Sequence, residues 1–166
     1  YNRPDFPSHG DIIDARDRMV AKHSGLKIVG AHLGSLEYDV AEVAARLDRY
    51  PNCAVDTSAR MRDLAYQDSN AVRDFFLSYS DRILFGTDIG GQPREGRYAE
   101  VAESYRRAFL LLETDQMVKG AFFSGTQTRG LALPVDVLEK IYYRNAARLY
   151  PHVRGVLRNL GYETPD

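Results

Sequence analysis

The sequence contains a single cysteine, so no disulfide can form within the chain. Cys53 lies in the apolar run Cys53-Ala54-Val55, a setting that favours a small buried hydrophobic residue over a reactive nucleophile. No stretch approaches the roughly eighteen consecutive apolar residues that a membrane span needs, and no secretory signal pattern is visible. Because the first residue is Tyr1 rather than methionine, we expect the chain to be a piece of a longer protein.

An excess of charge of either sign is also missing. The 166 residues carry 22 Lys and Arg against 23 Asp and Glu, a formal net charge of −1. No global field therefore favours nucleic acid or an anionic membrane, and we expect neither as a partner. A Gly-x-Gly-x-x-Gly turn after a strand is absent as well, which argues against a nucleotide-binding or regulatory α/β domain. The sequence does not indicate a compartment, and the cytoplasm is only the default.

The chain alternates amphipathic helices with short apolar strands. Strands are predicted at residues 26–31, 53–56 and 83–86, and each follows a segment with apolar residues at helical spacing. Intervals of roughly 25 to 30 residues are typical of βα units on a parallel sheet. The length suits a single domain over residues 1–166, and three strands are less than half of an eight-stranded barrel.

Further helices are predicted after the third strand. One begins at Arg97, another runs from Val135 to Ala147 with Pro134 at its first position, and a short one is expected within residues 152–166. The segment 119–133 is rich in Gly, Ser and Thr, which predicts an ordered but irregular loop.

Two of the strands end next to a side chain that can ligate a metal or move a proton. His32 and Asp88 each follow an apolar run and precede a turn of small residues. Because the active site of an α/β barrel is built at the carboxyl ends of its strands, we expect both side chains in one site. His32 is the candidate general base, and Asp88 is the candidate metal ligand. The alternatives are a packed or capping histidine, and an aspartate that caps the next helix.

Weaker candidates surround this pair. Asp56 and Ser58 end the middle strand and would face the same edge of the sheet. Arg60 could bind a substrate carboxylate through a bidentate contact, although a helix cap followed by a surface arginine is the favoured explanation of the segment. Glu37 and Tyr38 follow the turn after the first strand and could line the pocket.

Three motifs in this order, GAHLGS at 30–35, FGTD at 85–88 and IYYRNAARLYP at 141–151, resemble the amidohydrolase superfamily. The similarity is greatest to the amidohydrolase 2 branch typified by aminocarboxymuconate semialdehyde decarboxylase, and it runs from about Arg3 to Pro151. The resemblance implies a TIM (β/α)8 barrel with one divalent metal, most often zinc. In that family the metal is held by a His-x-His pair on the first strand, a histidine on the fifth and an aspartate on the eighth.

The same resemblance assigns roles to the two leading candidates. His32 matches the sixth-strand histidine, which polarises the metal-bound water or is itself a metal ligand. Asp88 matches the eighth-strand aspartate, which is a metal ligand and a proton acceptor. The chain would then be a partial barrel that covers strands six to eight and the C-terminal helices.

The sequence departs from the family pattern at the other metal ligands. It has no His-x-His, and its remaining histidines are His9, His23 and His152. His9 falls in the loop expected after the fifth strand, His23 closes a helix, and His152 follows a Tyr-Pro stop, so structural roles are favoured for all three. Two ligands alone would bind zinc poorly, because tight zinc sites use three or more.

Two functions are therefore open from the sequence. In the first, the parent protein is a metal-dependent hydrolase or non-oxidative decarboxylase that acts on a small organic acid, and this chain is its C-terminal part. In the second, the chain is a non-catalytic α/β piece that forms a homo-oligomer or pairs with the missing N-terminal half. The second hypothesis follows from the strand edges and apolar face that an incomplete barrel leaves uncovered.

Overall fold

The computed structural model describes residues 5–92, 94–119 and 127–164. Its centre is a parallel sheet whose strands, in spatial order, are β1 (Ile28–Gly30), β2 (Cys53–Asp56) and β3 (Ile83–Leu84). The register pairs Val29 with Ala54 and Val55 with Ile83. Because the strands are parallel, their carboxyl ends meet at one edge of the sheet. The predicted α/β class with three parallel strands is confirmed.

Helices connect and cover these strands. They are α1 (His9–Lys22), α2 (Ala31–Gly34), α3 (Val40–Arg49), α4 (Met61–Ala65), α5 (Ser69–Ser78), α6 (Arg97–Glu113), α7 (Val135–Glu139), α8 (Asn145–Leu149) and α9 (Pro151–Asn159). A 3-10 turn at Ser80–Arg82 precedes β3, and a π-helical turn at Lys140–Arg144 joins α7 to α8. Among the helices of the described residues, none is both long enough and apolar enough to cross a membrane.

Local sequence explains where the first helices begin and end. Ser8 and Asp11 form a capping box at the start of α1, in which each side chain accepts from the other residue's backbone amide. His23 is the C-cap of α1. Asp39 caps α3 by accepting from the amide of Ala41 over 2.8 Å.

Apolar residues at helical spacing build the core. α3 buries Val40, Val43 and Leu47, and α5 buries Val72, Phe75 and Phe76, in one cluster with Val55 and Ile83 of the sheet. Each of these helices therefore presents one apolar stripe to the core and its polar face to solvent.

The third motif of the sequence anchors the α7–α8 helices to β3. Asn145 is buried, and its Nδ2 donates to the carbonyl oxygens of Ser80 and Ile83 over 2.7 and 2.8 Å. Phe85 continues the strand by donating its amide to the carbonyl of Ile141, inside the π-helical turn, over 2.9 Å. The motif thus has a structural role, which is to fix the strand that leads to Asp88.

The predicted irregular loop at 119–133 is partly wrong. Residues 120–126 of that segment lie outside the described residues. On either side of them, β4 (Met117–Lys119) pairs antiparallel with β5 (Gln127–Arg129). Only the central residue of each strand is buried, Val118 in one and Thr128 in the other. Because each strand has only one buried residue, its sequence shows no visible alternation of apolar and polar residues. The prediction therefore followed the Gly, Ser and Thr content of the segment.

The last predicted helix boundaries need a small correction. Pro134 precedes the first helical turn rather than occupying it, with extended backbone at ψ 151°. The helical segment that starts at Val135 extends through the π-helical turn to Leu149, two residues past the predicted end at Ala147. The chain then turns at Tyr150 into α9, as expected from the proline that follows.

Candidate active site

The turn after β1, which contains α2, has a left-handed backbone and is not a right-handed α-helix. Its positive φ values are 56°, 55°, 64° and 60° for His32, Leu33, Gly34 and Ser35. For residues other than glycine this conformation costs roughly 1–2 kcal/mol each, so tertiary contacts must hold the turn. Strain of this kind is common at functional sites.

Contacts from β2 hold the turn on one side. The backbone amide of His32 donates to Oδ1 of Asp56 over 3.0 Å, and the amide of Ser58 donates to the same oxygen over 3.0 Å. Leu33, the residue after His32, is fully buried in the core. The side chain of His32 therefore starts from a fixed backbone.

A carbonyl group sets the tautomer of His32. Its Nδ1 lies 2.7 Å from the carbonyl oxygen of Ser58, and a carbonyl can only accept. Nδ1 therefore carries the proton, and in the neutral ring the lone pair is on Nε2. A backbone carbonyl that accepts from one ring nitrogen is also the usual way in which a metal-binding or proton-accepting histidine is oriented.

His32 and Asp88 meet, as the sequence predicts. Nε2 of His32 lies 3.9 Å from Oδ2 of Asp88, and the Asp88 side chain is 62% exposed against 34% for His32. Asp88 has a left-handed backbone with a φ of 53°, in the segment that follows β3. The free lone pair of His32 thus faces a carboxylate at the rim of the protein.

The ends of β2 and β3 are tied to each other. Thr57 is fully buried, and its hydroxyl donates to the carbonyl of Gly86 over 3.1 Å and accepts from the Gly86 amide over 3.1 Å. Ala59 donates its amide to the carbonyl of Thr87 over 3.2 Å. A side chain at Gly86 would collide with the hydroxyl of Ser58, so glycine permits this close approach.

Arg60 lies between two carboxylates. Its Nη2 is 3.5 Å from Oε1 of Glu37, and its Nη1 is 3.9 Å from Oδ2 of Asp63. Within the described residues, Nε of Arg60, Oε2 of Glu37 and Oδ2 of Asp63 are buried without a hydrogen-bond partner. The positive charge of Arg60 is therefore already compensated, and a substrate carboxylate would have to compete with Glu37 for it.

The pair of donors could supply part of a metal site after a small movement. Zinc lies about 2.0–2.2 Å from nitrogen and oxygen ligands, so two ligands of a tetrahedral ion are roughly 3.4 Å apart, and the 3.9 Å between His32 and Asp88 would have to shorten by about half an ångström. In the described part of the chain, no group of three or more His, Cys, Asp or Glu side chains could hold a metal ion. These residues therefore supply two donors, fewer than a tight zinc site requires.

Comparison with known families agrees with this geometry. A family model described as amidohydrolase matches residues 5–152. The chain belongs to the amidohydrolase family. Members of this family are generally enzymes and typically use divalent metals, and the matched region includes the three carboxyl ends of the parallel sheet. No curated protein and no solved structure matches the chain significantly.

Within the described residues, the other histidines of this amidohydrolase chain contact groups other than the His32 and Asp88 side chains. His9 begins α1, with Nε2 3.0 Å from the carbonyl oxygen of Ser35. His23 caps the end of α1, and His152 is exposed in α9 with its ring 6.2 Å from that of Tyr150. Cys53 is half-buried, and burial raises the pKa of its thiol, which disfavours a thiolate nucleophile.

One ion-pair network of the amidohydrolase chain, centred on the buried Asp17, was missed by sequence reasoning. Asp17 of α1 is buried and accepts from Arg16 and from Arg46 of α3. Arg46 also pairs with Glu42, one turn earlier on α3. No local pattern marks this network, because Asp17 and Arg46 are far apart in sequence and meet only when the two helices pack.

Proposed function

We propose that this chain carries part of the catalytic centre of a metal-dependent hydrolase or non-oxidative decarboxylase that acts on a small organic acid. The observation that carries the proposal is the approach of His32 Nε2 to Asp88 Oδ2 at the carboxyl edge of a parallel sheet, in a chain of the amidohydrolase family. The proposal includes a partial (β/α)8 barrel, in which β1, β2 and β3 correspond to the last three barrel strands.

The proposed roles follow from the tautomer and from charge. His32 accepts a proton at Nε2 while Nδ1 keeps its hydrogen bond to Ser58, so the ring does not have to reorient as it becomes charged. The carboxylate of Asp88 stabilises the resulting imidazolium and is the second proton acceptor. A divalent metal, most often zinc, would be held by Asp88 together with further ligands, and His32 would be one of them in the alternative in which its Nε2 binds the metal instead of accepting the proton. The metal would supply the Lewis acidity that makes water or a carbonyl group reactive at neutral pH.

Arg60 has the third role in the proposal, as the group that binds the substrate carboxylate. A bidentate contact needs two donors on one edge of the guanidinium, and Nε is unpartnered in the described residues. The substrate would therefore displace Glu37 from Nη2 and use Nε and Nη2 together. Hydrolysis and decarboxylation both use this constellation, and the proposal covers both.

A second candidate is a non-catalytic piece that assembles through its sheet. β1 lies at the edge of the sheet and all three of its residues are only half-buried. An uncovered parallel edge is a place where another strand can pair, from a second copy or from the rest of a longer protein. This candidate predicts concentration-dependent association in light scattering and no activity.

Zinc affinity is the experiment that tests the first candidate. We would measure it by competition with a chromophoric chelator for the wild-type chain, His32→Ala, Asp88→Ala and the control His152→Ala. The proposal expects Asp88→Ala to weaken zinc binding by about tenfold or more, while the control binds like the wild type. His32→Ala should weaken it equally where Nε2 is a metal ligand, and leave it unchanged where Nε2 is the general base. Equal affinity in all four proteins would contradict the metal-ligand role of Asp88.

Turnover is the complementary readout. The same proteins with added Zn²⁺ would be mixed with a panel of small organic acids and their amides, and mass spectrometry would detect loss of CO₂ or hydrolysis. Products formed by wild type and His152→Ala but lost in His32→Ala and Asp88→Ala support an enzyme. Association without zinc binding or turnover would favour the second candidate.

A further inference from the structure

We propose that α1 positions the candidate base, because Arg16 and His9 hold the left-handed turn that carries His32. Arg16 donates Nη1 to the carbonyl oxygen of Gly34, and His9 donates Nε2 to the next carbonyl, that of Ser35, over 3.0 Å. The inference rests on the proposed role of His32. It assigns a part in the site to α1, a helix that precedes β1 in the sequence and carries none of the candidate catalytic residues. Arg16 and His9 are positioning residues, since they act through the turn.

Arg16 is held rigidly before it reaches the turn. Its Nε and Nη2 both donate to Oδ1 of the buried Asp17, over 3.1 and 2.7 Å. The other carboxylate oxygen of Asp17 accepts from Arg46 of α3 over 3.3 Å. Because a guanidinium is planar, fixing two of its nitrogens on Asp17 also fixes the direction of the third. Nη1 is therefore aimed at Gly34 by a network that spans two helices.

The turn needs such support. Three of its four left-handed residues, His32, Leu33 and Ser35, carry side chains and are strained in this conformation. β2 holds the amide of His32 through Asp56, whereas α1 holds the carbonyls at the other end of the turn. With both ends fixed, the peptide groups cannot rotate toward a less strained backbone.

The consequence for the site is a single orientation of the imidazole. The hydrogen bond from Nδ1 of His32 to the carbonyl of Ser58 depends on where the turn places the Cα of His32. If α1 releases the turn, this hydrogen bond weakens and both neutral tautomers become populated. Nε2 would then no longer present its lone pair to Asp88 at all times.

The test reads the tautomer of His32 directly. Isotope-labelled histidine reports by NMR which ring nitrogen carries the proton, at a fixed pH at which the ring is neutral, and His32→Gln identifies the signal. The variants are Arg16→Ala, Arg16→Lys and His9→Phe, with Arg18→Ala on the exposed side of α1 as the matched control. Hydrogen exchange of the His32 backbone amide is measured on the same samples.

We expect the wild type and Arg18→Ala to show a protonated Nδ1 and a bare Nε2. Arg16→Ala and His9→Phe should give a mixture of tautomers, and the His32 amide should exchange roughly tenfold faster or more. Arg16→Lys should lie between, because an ammonium can still donate to the Gly34 carbonyl but lacks the planar fork that Asp17 holds in one direction. An unchanged tautomer and unchanged amide exchange in both Arg16→Ala and His9→Phe would overturn the proposal.

His9→Phe keeps the proposal testable if Arg16→Ala unfolds. His9 is exposed and is not bonded to Asp17, so its loss leaves the buried network complete. The readout also separates this inference from the proposed function, because it uses neither metal nor turnover. A tautomer change in a chain that binds no zinc supports α1 as the positioning helix and contradicts the metal-ligand role of Asp88. Zinc binding that Asp88→Ala weakens, together with an unchanged tautomer, supports the metal-ligand role and contradicts the positioning role of α1.

Discussion

The backbone amide of His32 and the carboxylate of Asp56 are joined by a hydrogen bond of 3.0 Å. The same carboxylate oxygen accepts from the amide of Ser58, whose carbonyl in turn accepts from the His32 ring. Asp56, His32 and Ser58 thus form a closed circuit that links the ends of β1 and β2. One acceptor atom of Asp56 supports both turns at the candidate site.

Substitution of Asp56 tests this circuit. Asp56→Ala leaves two partly buried amides without an acceptor and should reduce the free energy of unfolding by about 1–3 kcal/mol. Asp56→Asn keeps an oxygen at the same place and should retain most of that stability. Urea denaturation of the three proteins measures the difference. A loss in Asp56→Asn as large as in Asp56→Ala would show that the charge, and not the acceptor position, stabilises the turns.

The anchor of the C-terminal helices is expected to be more sensitive. Asn145→Ala removes the donor for the carbonyls of Ser80 and Ile83 in a buried environment, and should cost roughly 2–4 kcal/mol. Asn145→Asp should cost more near neutral pH, because a carboxylate would face two carbonyl oxygens. Thermal unfolding measures both, with exposed Asn159→Ala at the end of α9 as the control. Wild-type stability in Asn145→Asp would show that Nδ2 does not donate as described.

Sequence patterns placed the candidate residues on the sheet because strand ends are a local property. His32, Asp56 and Asp88 each follow an apolar run, and parallel strands bring such positions to one edge whatever the intervening helices do. The pairing of His32 with Asp88 could therefore be expected from the sequence.

Contacts that depend on side-chain direction could not be predicted. The left-handed turn at His32 and Leu33 carries no glycine at those two positions, so nothing in the sequence marks a positive φ there. Two such contacts join residues from different parts of the chain. They are the ion pair between Arg60 and Glu37 and the hydrogen bond from Arg16 to the carbonyl of Gly34. Their partners are chosen by packing, which a single sequence does not reveal.

Two glycines should respond in opposite ways to alanine. A Cβ at Gly130 would collide with the carbonyl oxygen of Thr114 and lie 2.9 Å from its carbonyl carbon. Backbone cannot move aside as a side chain can, so Gly130→Ala should lose about 1–3 kcal/mol. Gly155 lies inside α9. Apart from its chain neighbours and the backbone of the helix itself, no heavy atom of the described residues lies within 4 Å of the position that a Cβ would occupy there, so Gly155→Ala should gain about 0.5–1 kcal/mol. Chemical denaturation of both variants checks the pair, and a loss in Gly155→Ala would contradict it.

The acidic part of the curve of unfolding free energy against pH should depend on Glu103. Hydrogen bonds from Arg106 and Arg107 lower the pKa of its carboxyl from 4.5 to about 2. In the unfolded chain the group regains its ordinary pKa, so it binds a proton before the folded state does as the pH falls. Its contribution is therefore complete above about pH 5 and is lost progressively between about pH 5 and pH 2. Glu103→Gln removes this contribution and should flatten that part of the curve.

The measurement is the urea midpoint at neutral pH and at about pH 3 for the wild type, Glu103→Gln and the control Glu95→Gln. We expect the midpoint of the wild type to fall further than that of Glu103→Gln, while Glu95→Gln follows the wild type. Because Glu103 is on the exposed side of α6, high salt should reduce the difference by screening both arginines. An equal fall in wild type and Glu103→Gln at low salt would mean that the two arginines do not hold the carboxylate in solution.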